Sequence, residues 1–546
     1  MGGTGITSIT ENKPCDTIQS GMRWKILPKE SDNLVEQLLL SRGIKTLKEK
    51  EQFFHPKISD YEKDLKIPGI EKAQKRILEA KDHSELIIVY GDFDVDGICG
   101  AAILYKALTQ LGAKVLPYIP HREKEGYGLS KLGLEYARDS GATVVITVDN
   151  GITAISQAEF AKSIGLDLII TDHHLPLDQK PDAYEIVHST KMCGTAVAWC
   201  LLRSMISKSL QDELLQFVAI ATVCDLMPLI GLGRVFVSEG LKILNRTTNL
   251  GLLSLINESG ISLGDISSYE IGHILGPRLN AMGRLEHAID SLRLLCTKDP
   301  IKAKRLSQLL SKTNAIRQEK TFDAIEEAKR LIDGEKNIHV LASKDWHLGI
   351  IGLIAGKICE EYRRPTVAIS IGKTVSKGSA RSIDGINIVE VLRLCQDLLI
   401  DVGGHPRAAG FSLYTKHLDV FKKRMEEEEI ILPETEQVLE IEAEVESKKL
   451  TKNLVDEIVK FEPFGFGNPR PIFATYNMQI SDIRTVGQGK HLKFKVDNID
   501  AIAFGMGELE TMLQNGQQIN LAYTIDIDDY NSFEKIQLKV KDLNLS

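Results

Sequence analysis

Apolar runs and amphipathic stretches alternate along the first half of the chain. Four short β-rich runs, at residues 86–90, 114–119, 143–148 and 166–171, predict buried strands. Helical spacing near residues 98–111, 130–140 and 153–164 predicts the helices between them. Strands that alternate with helices in this way are typical of a mostly parallel sheet with crossover helices.

The pattern changes twice further along. Residues 235–300 are mainly helical in pattern, and residues 301–333 contain no glycine or proline and predict a long helix that joins two domains. A second α/β block follows, with strands near 339–342 and 366–371, a helix near 387–401 and a turn at Gly403-Gly404-His405. Strand-like runs near 439–445, 478–486, 492–496, 501–504, 519–527 and 536–540 then predict a small antiparallel barrel or sandwich.

Composition narrows the class of protein. The 546 residues are 43% hydrophobic and 26% charged, which is typical of a soluble globular protein with several domains. No apolar stretch could cross a bilayer, and the N-terminus has no secretory signal. Eight cysteines without a CxxC pair favour a reducing, cytoplasmic compartment. The net charge of −8 is not a nucleic-acid signature, although local basic patches could still bind one.

Acidic residues follow several of the predicted strands. Asp92, Asp94 and Asp96 come directly after the first strand, and Asp149 follows the third. The fourth strand is followed by Asp172-His173-His174, and Asp225 follows the apolar run 217–223. Parallel strands present their carboxyl ends at one edge of a sheet, so we expect these side chains to converge there.

Crowded carboxylates repel one another unless a cation neutralises them. Any single aspartate after a strand is often only a helix cap, but the full set is difficult to explain by independent caps. Oxygen ligands with one or two imidazoles suit Mn²⁺ or Mg²⁺, with Zn²⁺ less favoured and copper or an iron–sulfur cluster unsuited. Five or six carboxylates exceed the need of one ion and favour a two-metal site for phosphoryl transfer. The sequence lacks a GxxxxGK[ST] loop.

These residues also carry a resemblance to a known family. Asp92-Phe93-Asp94-Val95-Asp96-Gly97, Asp149-Asn150-Gly151 and Thr171-Asp172-His173-His174 resemble the successive motifs of the DHH phosphoesterase superfamily. Segments at 222–228, 276–284, 346–352, 378–382, 403–410 and 463–469 narrow the resemblance to the RecJ-type single-stranded-DNA-specific exonucleases. The ordered series spans about residues 85–475 and is far more specific than any one motif.

The resemblance implies a fold and roles for individual residues. It implies a parallel-sheet DHH domain (71–300) after an N-terminal tail and helical segment (1–70). A connecting helix (301–333), a smaller α/β DHHA1 domain (334–432) and a C-terminal β-barrel of the OB-fold type (433–546) would follow. Two Mn²⁺ or Mg²⁺ ions would be held by Asp92, Asp94, Asp96, Asp149, His173 and Asp225. Asp149 would bridge them, Asp172 would orient a neighbour, and His174 would face the scissile phosphate.

The resemblance also implies substrate contacts. They are Arg122, Arg278, Asn280, Arg284, Trp346, His347, Ser379, Arg381, Gly403, Gly404 and His405. An arginine fork matches phosphate oxygens, although each arginine alone could be a surface ion pair, and Trp346 alone could be core packing. On the OB-fold, single strands would meet Arg484, Lys490, His491, Lys493, Phe494 and Lys495, whose alternative is a solvated strand face.

Two segments depart from the family pattern. Residues 187–194 are short, which puts one wall of the substrate channel in doubt. Pro406-Arg407 replaces the small, apolar residues expected after Gly403-Gly404-His405 and adds a charge near the expected phosphate.

The implied activity is a metal-dependent 5′-to-3′ exonuclease that degrades single-stranded DNA to 5′-mononucleotides in DNA repair and recombination. A single-strand-binding protein or a helicase would be its partner, and no membrane is involved. One alternative is a DHH phosphodiesterase acting on nanoRNA or a cyclic dinucleotide. The other is an inactive scaffold that binds single strands.

Overall fold

The computed structural model describes residues 22–334, 336–428, 430–432, 437–528 and 535–545. The first strands are β1 (Met22–Ile26), β2 (Leu86–Gly91), β3 (Lys114–Tyr118), β4 (Ala142–Val148), β5 (Asp167–Asp172) and β6 (Glu185–His188). The next are β7 (His339–Ser343), β8 (Thr366–Ser370), β9 (Val375–Arg381), β10 (Leu399–His405) and β11 (Ala408–Tyr414). The last are β12 (Gln437–Ile441), β13 (Ala443–Glu444), β14 (Phe473–Val486), β15 (His491–Val496), β16 (Ile499–Ala503), β17 (Gln518–Asp528) and β18 (Lys535–Leu545).

The helices are distributed between and around these strands. The first nine are α1 (Leu34–Ser41), α2 (Leu47–Phe54), α3 (Ile70–Asp82), α4 (Val95–Gln110), α5 (Lys131–Asp139), α6 (Ile155–Ser163), α7 (Gly194–Leu202), α8 (Lys208–Cys224) and α9 (Gly231–Leu244). They are followed by α10 (Leu250–Glu258), α11 (Ser268–Glu270), α12 (Gly276–Leu285), α13 (Ile289–Cys296), α14 (Pro300–Arg330), α15 (Ile351–Tyr362), α16 (Ile388–Arg393), α17 (Leu418–Glu427) and α18 (Lys452–Val459).

The first sheet is parallel throughout, as predicted, with the order β3-β2-β4-β5-β6. Strand β2 is buried on both faces: Ile87 and Val89 pack into one apolar cluster with α4, while Ile88 and Tyr90 pack into another with α5 and α6. Burial on both faces explains why the strand is an unbroken apolar run. Strand β6 has only four residues and was not predicted.

The second sheet has the order β10-β11-β9-β8-β7, in which only β7 and β8 are parallel. The predicted helix over 387–401 is wrong in its second half, because α16 ends at Arg393 and β10 begins at Leu399. The predicted turn at Gly403-Gly404-His405 is also wrong, since these residues pair with β11 and the chain turns at Pro406-Arg407. Pairing with a distant strand supplies backbone hydrogen bonds that the local sequence does not reveal.

Helix α14 confirms the long helix predicted between the two α/β blocks. The side chain of Asp299 accepts hydrogen bonds from the backbone N–H groups of Ile301 and Lys302, and Pro300 occupies the first turn. The buried face of the helix packs against α10, α12 and α13 on one side and against α15 on the other. Both α/β blocks, with α14, belong to one compact unit spanning Pro56–Pro433 and Gly465–Gly467.

The other unit combines the two ends of the chain. Its described residues come from the segment that ends at His55 and from Glu434–Phe464 and Asn468–Ser546. Strands β14, β15, β16, β18 and β17 close into the predicted barrel because β14 also pairs with β17. The barrel is not wholly antiparallel, since β16 and β18 are parallel. Strand β1, which was not predicted, pairs with β12. The domain boundaries from the sequence stay predictions.

The described cysteines are free thiols, seven in number, and most of them are buried; Cys15 lies outside the described residues. Within the part of the chain that the structure describes, we find no helix with the length and hydropathy needed to span a membrane. The cytoplasmic location stays a prediction.

Candidate metal centre and phosphate-binding site

The turn after β2 is held in one conformation by its own backbone. Asp94 caps α4, with its Oδ1 accepting hydrogen bonds from the N–H groups of Asp96 (3.0 Å) and Gly97 (3.1 Å). A Cβ on Gly97 would lie 2.3 Å from the backbone nitrogen of Asp92, so only glycine fits here. Asn280, predicted to contact substrate, instead accepts a hydrogen bond from the N–H of Val95 at 3.0 Å.

Asp96 and Asp149 are both fixed by the start of α7. The Asp96 carboxylate accepts hydrogen bonds from the N–H groups of Gly194 (2.6 Å) and Thr195 (2.7 Å), where the helix dipole favours negative charge. Asp149 adopts a left-handed backbone conformation with φ of 62°. A Cβ on Gly194 would lie 2.7 Å from the Asp149 Cβ, so this glycine allows the start of α7 to approach the end of β4.

Asp172 uses its carboxylate to orient the residues after β5. Its Oδ1 accepts a hydrogen bond from the N–H of His173 at 2.7 Å and lies 2.8 Å from Nδ1 of His174. Its Oδ2 accepts a hydrogen bond from the N–H of Ile152 at 2.9 Å. The short 187–194 segment contributes as well, because Nε2 of His188 lies 2.7 Å from the carbonyl oxygen of His174. This geometry supports an orienting role for Asp172.

The six predicted metal ligands converge at the carboxyl edge of the first sheet. Nε2 of His173 lies 3.1 Å from Asp149 Oδ1, 3.6 Å from Asp225 Oδ2 and 3.7 Å from Asp96 Oδ2. The ligand atoms form overlapping groups: Asp92, Asp94 and Asp149; Asp96, His173 and Asp225; and Asp149, His173 and His174. Asp149 is common to two groups, which is the arrangement that a bridging carboxylate requires.

Unsatisfied atoms in this cluster test whether it fits divalent ions. The four buried atoms Asp92 Oδ1, Asp149 Oδ1, Asp225 Oδ2 and His173 Nε2 have no hydrogen-bond partner among the described residues. Buried polar atoms without partners are costly unless something else binds them. Carboxylate oxygens with one imidazole are the donors that Mn²⁺ and Mg²⁺ accept. The site therefore fits such ions.

The protonation equilibria of the site point the same way. Burial, followed by the charge of Asp94, raises the pKa of Asp92 well above its ordinary value. Burial and the neighbouring carboxylates likewise raise the pKa of Asp149, and they raise that of Asp225 to about 8. Burial lowers the pKa of His173. Metal ligation requires a neutral imidazole, which the lowered pKa of His173 favours. It also requires ionised carboxylates, and a bound cation would stabilise that form of the crowded aspartates.

His174 differs from His173 in its environment. Burial by itself lowers the pKa of His174, but the hydrogen bond and charge of Asp172, together with the charges of Asp225 and Asp96, raise the pKa overall. The hydroxyl of Tyr127 lies 3.2 Å from Nε2 of His174 and donates a hydrogen bond to the carbonyl oxygen of Asp149 at 3.1 Å. Sequence reasoning missed Tyr127, although it lies in the same loop as Arg122. The loop places a hydroxyl beside the His174 ring.

Arg122 and Arg284 of the first α/β block and Arg317 of α14 lie near Arg381 of the second block, in a region between the blocks that we call the cleft. Arg122 stacks on the ring of Phe93, 3.9 Å from its centroid, and donates a hydrogen bond to the carbonyl oxygen of Gly283. Burial, followed by the charges of Arg122, Arg317 and Arg381, lowers the pKa of Arg284 to about 10. Three guanidinium groups close enough to lower the pKa of Arg284 concentrate positive charge around it, which favours a bound anion. Arg317 on α14 was not predicted, and its buried Nε has no partner among the described residues.

One face of the second sheet carries Ser379, Arg381, Gly403 and His405, and we call this face the phosphate-binding floor. Its register aligns Ser379 with Gly410 and Gly403, and Arg381 with Ala408 and His405, on adjacent strands. Paired residues of antiparallel strands share a face, so Ser379, Arg381 and His405 lie on the same side of the sheet. The Arg381 guanidinium donates a hydrogen bond to Ser379 Oγ at 3.1 Å.

Glycine keeps this floor open. A Cβ on Gly352, in the first turn of α15, would lie 3.1 Å from Nη2 of Arg381 and 3.2 Å from Ser379 Oγ. The exposed Gly403 has nothing within 4 Å of its Cβ position. A guanidinium, a hydroxyl and a helix N-terminus around an open space form a phosphate-binding arrangement.

Several predicted substrate contacts lie elsewhere. Trp346 is only 2% exposed and donates its indole N–H to Glu327 at 2.8 Å, so the prediction that it contacts substrate is wrong and it is a core residue. Arg278 donates hydrogen bonds to the carbonyl oxygen of Ile274 and to Ser311 and is not among the arginines around Arg284. His347 lies in the cleft wall, with Nε2 at 3.5 Å from the Glu123 carboxylate.

Arg407 does not add a free charge to the floor. Its guanidinium forms an exposed ion pair with Asp384, and the carbonyl oxygen of Pro406 accepts a hydrogen bond from the N–H of Ile388 at 2.8 Å. The departure from the family pattern therefore forms a hairpin turn.

The barrel presents a mixed basic and aromatic face. Arg484 lies opposite Lys493 in the β14–β15 register, and Lys495 forms an ion pair with Asp482. Phe494 is 1% exposed, so the prediction that it stacks on bases is wrong, because strand alternation turns it into the barrel core. The exposed ring of Phe504, which was not predicted, packs edge-on against His491 with 5.3 Å between centroids.

Comparisons with known proteins agree with this architecture. The DHH family N-terminal domain matches residues 86–222, the DHHA1 domain matches residues 335–429, and the RecJ OB domain matches residues 441–542. The single-stranded-DNA-specific exonuclease RecJ of Bacillus subtilis is 34% identical, over 97% of this chain and 72% of that protein. The chain belongs to the RecJ family.

Other RecJ proteins support the assignment. RecJ of Haemophilus influenzae is 29% identical, over 93% of this chain and 95% of that protein. The crystal structure of RecJ from Thermus thermophilus in complex with Mn²⁺ superposes with a TM-score of 0.84 at 28% identity. It covers 96% of this chain and 80% of that one. The RecJ-type parallel-sheet domain, DHHA1 domain and OB-fold barrel expected from the sequence are therefore all present.

Proposed function

We propose that this chain is a divalent-metal-dependent exonuclease that degrades single-stranded DNA from its 5′ end and releases 5′-mononucleotides. The observation that carries the proposal is the convergence of unsatisfied carboxylate and imidazole atoms at one sheet edge, facing a basic cleft. Membership of the RecJ family supports the substrate, because the curated relatives are named single-stranded-DNA-specific exonucleases. Thermus RecJ was solved with Mn²⁺ and with Mg²⁺, which supports the choice of ion.

Two ions are assigned to the overlapping ligand groups. One would be held by Asp92, Asp94 and Asp149, and the other by Asp96, His173 and Asp225. Asp149 would bridge them, because its Oδ1 lies 3.1 Å from Nε2 of His173 in the second group. When bound, the ions supply positive charge that stabilises the attacked phosphoryl group and activates the attacking water.

The residues around the ions position the reacting groups. Asp172 holds His174 through Nδ1, and its hydrogen bond and charge favour the protonated imidazole by raising the pKa of His174. The protonated ring can stabilise charge on the scissile phosphate and deliver a proton to the departing oxygen. The Tyr127 hydroxyl keeps the ring at this edge of the site.

The phosphate-binding floor is assigned to bind the 5′ end of the DNA strand. Ser379 and Arg381 would hold the terminal phosphate over Gly352 and Gly403, while Arg122, Arg284 and Arg317 would neutralise the following backbone. Phosphate contacts of this kind fix position without reading bases. A site for the terminal phosphate beside the metal centre would set the polarity of digestion.

The barrel unit is assigned a supporting role in strand binding. Arg484, Lys490, Lys493 and His491, with the Phe504 ring, offer charge and one stacking surface for an unpaired strand. Roles in DNA repair and recombination, with a single-strand-binding protein or a helicase as partner, fit this activity.

Digestion of end-labelled single-stranded DNA with Mn²⁺, Mg²⁺ or chelator tests the proposal. We expect 5′ label to appear first in mononucleotides, only with metal, and duplex DNA to resist. Long 5′-phosphorylated strands that stay intact while dinucleotides are cleaved would instead establish the phosphodiesterase alternative.

A substitution of Asp149 tests the scaffold alternative. Asparagine tolerates the left-handed backbone at this position, so Asp149→Asn should fold while losing the shared ligand. We expect hydrolysis to fall at least about 1,000-fold while single-strand affinity stays within roughly twofold. Unchanged hydrolysis in this variant would refute the bridging assignment.

A further inference from the structure

Helix α14 carries a row of positive charge on its exposed side. Lys302, Arg305, Lys312 and Lys320 are exposed and, at their spacing of three, seven and eight residues, share one helical face. Leu309 and Ile316, also exposed, lie between them. We call these four cations the basic stripe. At 1.5 Å per residue, it extends over about 27 Å.

The basic stripe is not neutralised within the protein. None of its four members forms an ion pair with any residue that the structure describes, whereas Lys329, near the end of the same helix, pairs with both Glu326 and Glu361. Six lysines and arginines lie between Pro300 and Lys320, with Glu319 as the one acidic residue in that interval. The chain as a whole is acidic, so this concentration is local.

Folding alone gives no reason for this arrangement. Helix faces gain stability from opposite charges three or four residues apart, yet Lys302 and Arg305 are a like-charged pair at that spacing. Surfaces that serve only solubility intersperse both signs of charge. A row of one sign along a solvent-exposed helix is instead the footprint of a polyanion.

The basic stripe leads towards the cleft. Next to Ile316 on the same helix lies Arg317, whose Nε is buried without a partner among the described residues. Arg317 is close enough to Arg284 to lower its pKa, and Arg381 of the phosphate-binding floor does the same. Helix α14 therefore carries positive charge both on its exposed face and, through Arg317, beside Arg284 in the cleft.

We propose that the basic stripe binds the sugar-phosphate backbone of the single-stranded substrate beyond the part held in the cleft. The inference rests on the proposed function, because it takes the cleft anion to be a nucleic-acid phosphate. Lysine and arginine side chains on flexible stems follow a backbone without reading bases, and each neutralised phosphate releases counterions. Continuity with the phosphate site favours a nucleic acid over an acidic protein segment.

Substitution of all four members of the basic stripe by glutamine tests the proposal. The matched control replaces Lys57, Lys63, Lys66 and Lys180, which are exposed and without an ion pair to described residues, by glutamine. Binding is measured in chelator by fluorescence anisotropy, with 5′-phosphorylated strands of about 4 and about 20 nucleotides over a range of salt. Thermal melting checks the fold of both variants.

The stripe variant should bind the long strand at least about tenfold more weakly than the control variant does, with equal affinity for the short strand. The slope of log affinity against log salt should fall by up to about 3, from four phosphate contacts. Equal loss on both lengths, no loss on either, or a loss seen with duplex or an acidic peptide but not with the single strand would each overturn the proposal.

Failure of this proposal is separable from failure of the proposed function. Binding in chelator does not depend on hydrolysis, so a chain that fails to degrade DNA but shows the length-dependent loss would retain the stripe and lose the exonuclease assignment. A chain that degrades long strands equally well in the stripe and control variants, with equal affinities, would retain the exonuclease assignment and lose the stripe.

Discussion

Asp149 and Asp172 show how the same side chain at neighbouring strand ends takes different tasks. The Asp172 carboxylate has four hydrogen-bonded partners, namely the N–H groups of Ile152, His173 and His174 and Nδ1 of His174. Burial raises its pKa, but these hydrogen bonds and the charge of His174 together lower it below the ordinary value. Asp149 leaves Oδ1 unsatisfied and has a raised pKa. The different surroundings of the two carboxylates therefore suit Asp172 to orienting its neighbours and Asp149 to binding a cation.

The raised pKa values predict how metal and pH act together on stability. Carboxyl groups with raised folded-state pKa contribute stability below about pH 4 that is lost as pH rises, through about pH 8 for Asp225. Metal-free protein should therefore become less stable as pH rises through this window, and Mg²⁺ should restore the loss. We expect the increase in Tm on adding Mg²⁺ to be larger at about pH 8.5 than at about pH 6. An equal increase at both pH values, or an unaltered pH dependence in Asp225→Asn, would contradict this account.

Tyr127 provides a second test at the residue scale. Tyr127→Phe removes the hydroxyl that contacts His174 and the Asp149 backbone while keeping the ring. We expect kcat to fall about 10-fold, or roughly 1.4 kcal/mol, with KM unchanged. Tyr136→Phe is the matched control, because Tyr136 is an exposed tyrosine that packs against Tyr118. An equal effect of both substitutions would remove the positioning role from Tyr127.

At the scale of elements, strands with a local sequence signal were predicted, whereas a strand that depends on a distant partner was not. Strands β2, β4 and β5 were predicted because each is an apolar run that ends in an acid, which is a local signal. Strand β10 was not, because its edge position leaves residues 399–405 mostly exposed and its hydrogen bonds come from β11. The burial of Trp346 and Phe494 was not predicted either, because the sequence does not distinguish an aromatic residue in a core from one on a binding surface.

The corrected hairpin gives a paired prediction. Gly404 has φ of 141° and a Cβ there would lie 2.3 Å from the Ala408 carbonyl oxygen, so Gly404→Ala should lower the free energy of unfolding by roughly 1–3 kcal/mol. Gly403→Ala should leave that free energy within about 0.5 kcal/mol, because its Cβ position is open. Gly403→Ala should instead weaken binding of 5′-phosphorylated strands relative to 5′-hydroxyl strands. Urea denaturation and anisotropy separate the two, and the reverse order of effects would contradict the assigned floor.

At the scale of the whole molecule, one unit is built from both ends of the chain. Arg42 of the N-terminal segment is buried and forms an ion pair with Glu442, donates a hydrogen bond to Asn468 at 2.8 Å, and lies over the ring of Phe461. Residues about 400 positions apart thus share one polar cluster. Neither segment carries a local sign of the other, so their association in one unit was not predicted from the sequence.

Breaking this cluster should destabilise that unit alone. Arg42→Ala leaves the Glu442 carboxylate, 12% exposed, with the Ser41 hydroxyl but without the guanidinium, and we expect a loss of about 3 kcal/mol in the unfolding of the barrel unit. Lys25→Ala breaks an exposed ion pair between the same two segments and should cost less than about 1 kcal/mol. Calorimetry should show one lowered transition in Arg42→Ala. Equal transitions in both variants would contradict the contribution of the buried pair.

The pairing of β1 with β12 has a consequence for biosynthesis. Met22–Ile26 is made first, but its partner Gln437–Ile441 is made roughly 20–80 s later at ordinary rates of translation. During that interval the strand has a free edge, which is a template for wrong pairing. Two residues of this strand, Arg23 and Lys25, are cations, and charged side chains on an edge discourage such pairing. The order in which the ribosome delivers the chain thus makes the catalytic unit complete before the barrel unit can close.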